Sequence, residues 1–303
     1  MSGSARFGGS GWGAPTLAGF LLLLLQAGPP SAVHVGRVTA LHWAGSEAAA
    51  TALAELADRS TVWPGISSPP HYPIRLIIAS GARQFDSLTA GRIPEWGAAV
   101  TFPASNTIIL TLTRDHRRVL RHELAHLALH SVVRRVPRWF DEGYAARAAG
   151  EWDRVEALRV NWALLRGVVP SLGDLDRHIR EGSAADAEAS YALATTAVLM
   201  LERLGGDRGL EPLMDALRGT SDFDLALRGT YQITLGQFEE AWRRDLRRRY
   251  GWLLLVTSLS VFWAFVALLL AALWARRRRR DEGRRRALDE GWVVPEDYWN
   301  STT

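Results

Sequence analysis

The chain has 303 residues, a net charge of +4 from 36 basic and 32 acidic side chains, and no cysteine. The length fits one folded domain of roughly 220 residues beside non-globular segments, and the lack of cysteine excludes disulfides, thiolate ligands and a thiol nucleophile, so any metal must be held by histidine and carboxylate. Arg243, Arg244, Arg247, Arg248 and Arg249 against Asp245 already give +4 beside one apolar segment, which leaves the folded part near neutral and excludes a nucleic-acid footprint.

At the N-terminus Arg6 precedes an apolar stretch from Leu17 to Leu25, followed by Gln26, Ala27, two prolines and Ser31-Ala32. A short apolar run with small residues at its exit is the grammar of a signal peptide, so residues 1–32 are predicted as one, cut near Ala27 or Ala32. The run is well under the roughly 20 residues that an uncleaved spanning helix needs.

The next elements build a small α/β lobe. RVTALHW reads as a strand and SEAAATALAELADRS as an amphipathic helix, and after the break at Pro69, Pro70 and Pro73, IRLIIA reads as a second strand. AAVTF and TIILTLT, rich in β-branched residues and separated by Pro103-Ala104-Ser105-Asn106, read as a hairpin whose first strand is an exposed edge. From Arg114 the periodicity turns helical, with one helix over Asp115 to about His130, another over Arg138 to Ala149, and several more up to Arg249. A mixed sheet followed by helices predicts an α+β domain over residues 33–250.

Within the first of these helices, His122-Glu123-Leu124-Ala125-His126 fits H-E-x-x-H. Residues four apart share a helical face, so the two imidazoles can converge on one ion, with Glu123 placed to reach a metal-bound water. Leu120, Leu124 and Leu127 fall on the opposite, core-facing side. An open zinc site needs a third protein ligand, and the next helix supplies Glu142, sixteen residues beyond His126. His130 continues the i+4 series, but two further turns put it about 12 Å along the axis from His122, too far to share an ion; it is expected at the surface or behind the ligands. Asp141 reads either as an acceptor that orients a ligand histidine or as a solvated or capping carboxylate.

The rival subclasses fail on particular residues. The metzincin continuation needs glycine at 129 and histidine at 132, where this chain has Leu129 and Val132. An intramembrane protease would bury the motif in an apolar span, yet Arg114, Asp115, His116, Arg117, Arg118 and Arg121 precede it.

From Trp252 to Ala275 there are 24 residues without a charge, about 36 Å of helix against a hydrocarbon core of about 30 Å. Trp252 and Trp274 mark its ends and Arg276–Arg280 stop it, so one transmembrane helix over 252–275 is predicted. Five arginines precede it and eight follow, in a basic tail over 276–303. That bias and the signal peptide both favour a cytoplasmic C-terminus and an extracytoplasmic 33–250, with the chain single-pass in the cell (inner) membrane. The final DEGWVVPEDYWNSTT is either a disordered end or a partner-binding peptide.

H-E-L-A-H followed by Pro137, Trp139, Glu142, Gly143 and Ala145 resembles the gluzincin peptidases, in particular the small bacterial peptidase-MA-like families. The resemblance extends to Pro94–Val100, similar to the family's edge strand, and to Phe238–Leu246, and covers most of residues 33–250. It implies a thermolysin-like zincin domain and one catalytic zinc ion on His122, His126 and Glu142. It also implies a protein or peptide substrate laid along the edge strand, and hydrolysis of an amide. Tyr191 resembles the family's oxyanion-stabilising tyrosine, with simple packing as its other reading. Two non-enzymatic readings remain beside this one. An inactive metallopeptidase-like scaffold at the membrane would show loss of Glu123 or a ligand, which the sequence does not; an accidental motif in an interaction protein would bind no metal.

Overall fold

The computed structural model describes residues 29–67, 72–91, 98–151, 169–181, 184–250 and 252–291, together with 157, 160 and 161. The apolar leader, the Pro69-Pro70 break, the Pro94–Gly97 part of the edge segment and the tail beyond Gly291 lie outside the described residues. The chain divides into two compact units between Tyr250 and Gly251.

The first unit opens on a hairpin of β1 (Ser31–Val35) and β2 (Val38–His42), whose turn uses Gly36 at φ +52. Ser31 and Ala32, read in the sequence as the end of the leader, pair here with His42 and Leu41. Then follow α1 (Glu47–Arg59), β3 (Ile74–Ala79), α2 (Ala82–Thr89), β4 (Ala99–Phe102) and β5 (Thr107–Thr111). The sheet order is β1-β2-β3-β5-β4, parallel at β2–β3 and β3–β5 and antiparallel at both ends.

The central strands are apolar at nearly every position because both faces of the sheet are covered. Leu76, Ile78, Ile108 and Leu110 point into the main core, whereas Ile77, Ala79 and Ile109 point to a second cluster with Phe85 and Leu88 of α2. The sequence reading has no counterpart to α2, since an eight-residue helix with two large apolar side chains carries too little periodicity to stand out. The predicted β4–β5 hairpin is present, and Asn106 adopts φ +48 in its turn, a conformation asparagine tolerates.

The helices that follow are α3 (His116–Val132), α4 (Arg138–Ala149), α5 (Leu172–Glu181), α6 (Ala184–Leu204), α7 (Glu211–Gly219), α8 (Phe223–Tyr231) and α9 (Leu235–Tyr250). A small mixed sheet and a larger helical part make the unit α+β. Trp139 at the start of α4 is fully buried, stacked on Phe238 of α9 at 6.1 Å and edge-on to Phe223 of α8 at 5.5 Å. Its backbone N–H donates to Asp176 of α5 at 2.6 Å, which satisfies one of the free donors of the α4 N-terminus. At Gly143 α4 and α6 approach closely: a Cβ there would lie 2.6 Å from the Ala194 carbonyl oxygen.

In the second unit the apolar segment 252–275 lies within one helix, α10 (Trp252–Gly291), which continues past the predicted boundary at Ala275. Arginine is a good helix former, so the hydrogen-bond ladder has no reason to stop where hydropathy changes. By length and composition α10 can cross a membrane, and side chains such as Phe262, Trp263, Phe265 and Leu268 are exposed.

Candidate metal centre

Helix α3 carries His122, Glu123, His126 and His130 in successive turns, with the rings of His122 and His126 4.9 Å apart. Leu120, Leu124 and Leu127 are buried as the periodicity requires, but so are Ala125, Ala128 and Leu129. The chemical face is therefore not a solvent face: α4 and β4 pack over it.

From α4, the Glu142 Oε2 lies 3.3 Å from His122 Nε2 and 3.6 Å from His126 Nε2. The three groups offer ligand atoms within 4.8 Å of one another and could hold a metal ion. The other ring nitrogens are occupied, His122 Nδ1 at 3.2 Å from Glu151 Oε1 and His126 Nδ1 at 2.6 Å from Asp141 Oδ1. A carboxylate accepts and cannot donate, so each Nδ1 holds its proton, and Nε2 is the nitrogen that each ring turns to Glu142, donating to it when protonated and open to a metal ion when it is not. This donor set, two imidazole nitrogens converging on one carboxylate oxygen, fits a divalent cation that displaces their protons.

Asp141 is thus the acceptor on a histidine, and its second oxygen takes His130 Nε2 at 3.0 Å, which places His130 behind His126. Glu151 was not anticipated. It reaches His122 because α4 ends in a left-handed turn at Gly150, φ +73, with Gly150 N bonded to Arg147 O and Glu151 N to Ala146 O. That paired geometry reverses the chain at a helix end; the Gly-Glu step after Ala149 was its sequence signal.

Glu123 is nearly buried and accepts from the Thr101 hydroxyl of β4 at 2.6 Å. Thr101 was also missed, because its partner is 22 residues away and only the sheet brings them together. Arg138, one turn before Glu142, donates from Nη2 to Glu142 Oε1 at 2.8 Å. Tyr191 lies about two turns inside α6, which the alanine-rich AADAEAS extends back to Ala184. Burial and then the charge of Glu142 raise the Tyr191 pKa, which keeps its hydroxyl a donor.

Charge is tightly balanced here. Burial opposes protonation of His122, but its hydrogen bonds to Glu142 and Glu151 raise the pKa from 6.5 to about 10. Burial likewise opposes ionisation of Glu142, yet the charge of His126 and the hydrogen bonds from both histidines hold it well below the usual carboxylate range. Asp141 is held low in the same way against its own burial, chiefly by His126.

β4 leaves one edge without a strand among the described residues. Thr111 N donates to Ala98 O at 2.9 Å and Val100 pairs with Ile109, so Ala98, Val100 and Phe102 turn their backbone groups towards β5. Ala99 and Thr101 turn theirs to the free side.

A mixed sheet with a free edge strand over two helices that bring His, His and Glu to one point is the layout of a metallopeptidase-like fold. A family model described as the peptidase MA superfamily matches residues 48–248. The match spans two thirds of the sequence, and the chain belongs to that superfamily, whose members are generally metal-dependent peptidases. No curated protein matches the chain.

Proposed function

We propose that the protein is a membrane-anchored zinc peptidase of the gluzincin type, with His122 Nε2, His126 Nε2 and Glu142 Oε2 as the ligands and Glu123 as the general base. The observation that carries this reading is the pair of carboxylates, Asp141 and Glu151, on the two Nδ1 atoms, which leaves both Nε2 atoms directed at Glu142. A zinc ion held by these three residues would supply Lewis acidity for a scissile carbonyl and would acidify a water. Glu123 would accept a proton from the attacking water and pass it to the leaving amine. Tyr191, kept protonated, donates to the developing oxyanion. The backbone groups of Ala99 and Thr101 on the free edge of β4 receive an extended peptide.

In the same reading α10 anchors the catalytic unit outside the cytoplasm and its arginine-rich end lies inside. Cleavage of the leader after Ala27 would leave β1 whole, whereas cleavage after Ala32 would remove two of its five residues. N-terminal sequencing of the membrane-extracted protein distinguishes the two.

The test is metal analysis and digestion of a proteome-derived peptide library by the detergent-solubilised full chain beside Glu123→Gln. Near-stoichiometric zinc in both, with cleavage by the wild type alone, is the expected result. Absence of zinc from the wild type would sink the reading, and zinc without cleavage by either would favour a binding role.

A further inference from the structure

The side-on edge of a guanidinium, Nε and Nη2, presents two parallel N–H groups that match the two oxygens of a carboxylate. Arg138 uses only half of this edge on Glu142. Its Nη2 donates to Oε1 at 2.8 Å, while its Nε is buried with no acceptor among the described residues. The oxygen that would fill the second place, Oε2, is turned instead to Nε2 of His122 and His126. A buried donor left unpaired is unfavourable, so the division of the carboxylate between the arginine and the histidine pair is a feature that the surrounding packing maintains. The setting also distinguishes it from an ordinary surface i,i+4 pair: the Glu142 side chain is 6% exposed and that of Arg138 41%, so the cation reaches in from the rim to an otherwise enclosed oxygen.

We propose that Arg138 is a positioning residue for the metal centre, which by holding Oε1 restricts Glu142 to a single coordinating oxygen. A glutamate free to chelate with both oxygens would occupy a position that a catalytic site keeps open for water or substrate. The hydrogen bond from a cation also draws electron density from Oε1, making it the poorer ligand. The inference rests on the reading that His122, His126 and Glu142 hold the ion.

The experiment loads the full chain in detergent with cobalt(II) as the probe and records the visible spectrum and the dissociation constant for wild type, Arg138→Met and Arg138→Lys. Cobalt absorbs strongly in four-coordinate and weakly in higher-coordinate sites. The wild type should show the strong bands. Arg138→Met should lose them and bind cobalt about 10- to 100-fold more weakly, the range for removing a partner of a metal ligand. Arg138→Lys, which keeps the charge and a donor, should retain the wild-type bands. Weaker binding by Arg138→Met with an unchanged spectrum would reduce Arg138 to a charge partner and overturn the single-oxygen role, as would a lysine variant with the methionine spectrum. If Arg138→Met differs from wild type in far-ultraviolet circular dichroism, the lysine variant decides. A wild type that takes up no cobalt sinks the ligand assignment itself, and this inference with it.

Discussion

The hydroxyl of Thr101 on the edge strand donates to Oε2 of Glu123 at 2.6 Å, across a gap of 22 residues in sequence. The same Thr101 turns its backbone groups to the free edge of β4, so in the proposed reading one residue both borders the substrate path and fixes the base. A hydrogen bond to a charged group contributes about 1.5–3 kcal/mol. Thr101→Val should therefore lower kcat about 10- to 100-fold with little change in KM, and Thr101→Ser should restore most of it. Steady-state kinetics on a cleaved library peptide checks this; an unchanged kcat in the valine variant would show that Glu123 needs no such restraint.

Asp141 and Glu151 should matter for the metal although neither touches it. Asp141→Asn and Glu151→Gln remove the acceptors that fix the Nδ1 proton, and each should weaken zinc binding about 10- to 100-fold. The larger effect belongs to Asp141, whose bond to His126 is 2.6 Å against 3.2 Å for Glu151 to His122. His130→Ala should weaken binding less than Asp141→Asn, because it removes only the outer end of the chain. Competition with a chromophoric chelator orders the three.

In the proposed site, protons and zinc would compete for the imidazoles. In chelator-treated protein, hydrogen bonding to Glu142 and Glu151 raises His122 against its burial from 6.5 to about 10, a contribution to stability fully present below 6.5 and lost as pH rises through 10. Glu142 and Asp141, both depressed despite burial, contribute above their ordinary values of 4.5 and 3.8 and lose that contribution as pH falls further. The zinc-free protein should thus be most stable between 4.5 and 6.5 and weaken steadily towards 10. Zinc should remove the alkaline decline and release roughly two protons on binding near neutrality. Thermal melts across pH, with and without zinc, and calorimetry in buffers of different ionisation enthalpy measure both. A flat zinc-free profile from pH 6.5 upward would contradict the pairing.

The helical core beneath the site should be equally sensitive. Trp139→Ala should destabilise the domain by about 3–5 kcal/mol, since the ring is fully buried between Phe140, Phe223 and Phe238. Gly143→Ala should cost about 1–3 kcal/mol through overpacking, because its Cβ would meet the Ala194 carbonyl oxygen at 2.6 Å and Val198 Cγ2 at 2.9 Å. Denaturant midpoints of the two variants check these values, and tolerance of Gly143→Ala would mean that α4 and α6 can separate freely.

Much of this was legible along the chain. The i,i+4 spacing of His122 and His126 follows from helical pitch, the β-branched runs mark central strands, and an uncharged run of 24 residues marks α10. Glu142 was accessible through its resemblance to a known pattern and through its place one helix later. These are local regularities or fixed intervals, and a sequence records them directly.

The groups around those residues depended on the fold. Thr101 meets Glu123 because β4 is an edge strand against α3, and Glu151 meets His122 because a left-handed turn at Gly150 reverses the chain. Asp141 takes His126 and His130 together because α3 and α4 pack side by side, and the same packing turns the second oxygen of Glu142 to the histidines, away from Arg138 on its own helix. The sequence by itself determined which side chains can carry the chemistry, since that is a matter of residue type and helical period. Only the tertiary structure decided which nitrogen of each histidine faces Glu142 and which oxygen of Glu142 meets it, because hydrogen bonds between distant segments have no periodicity to read.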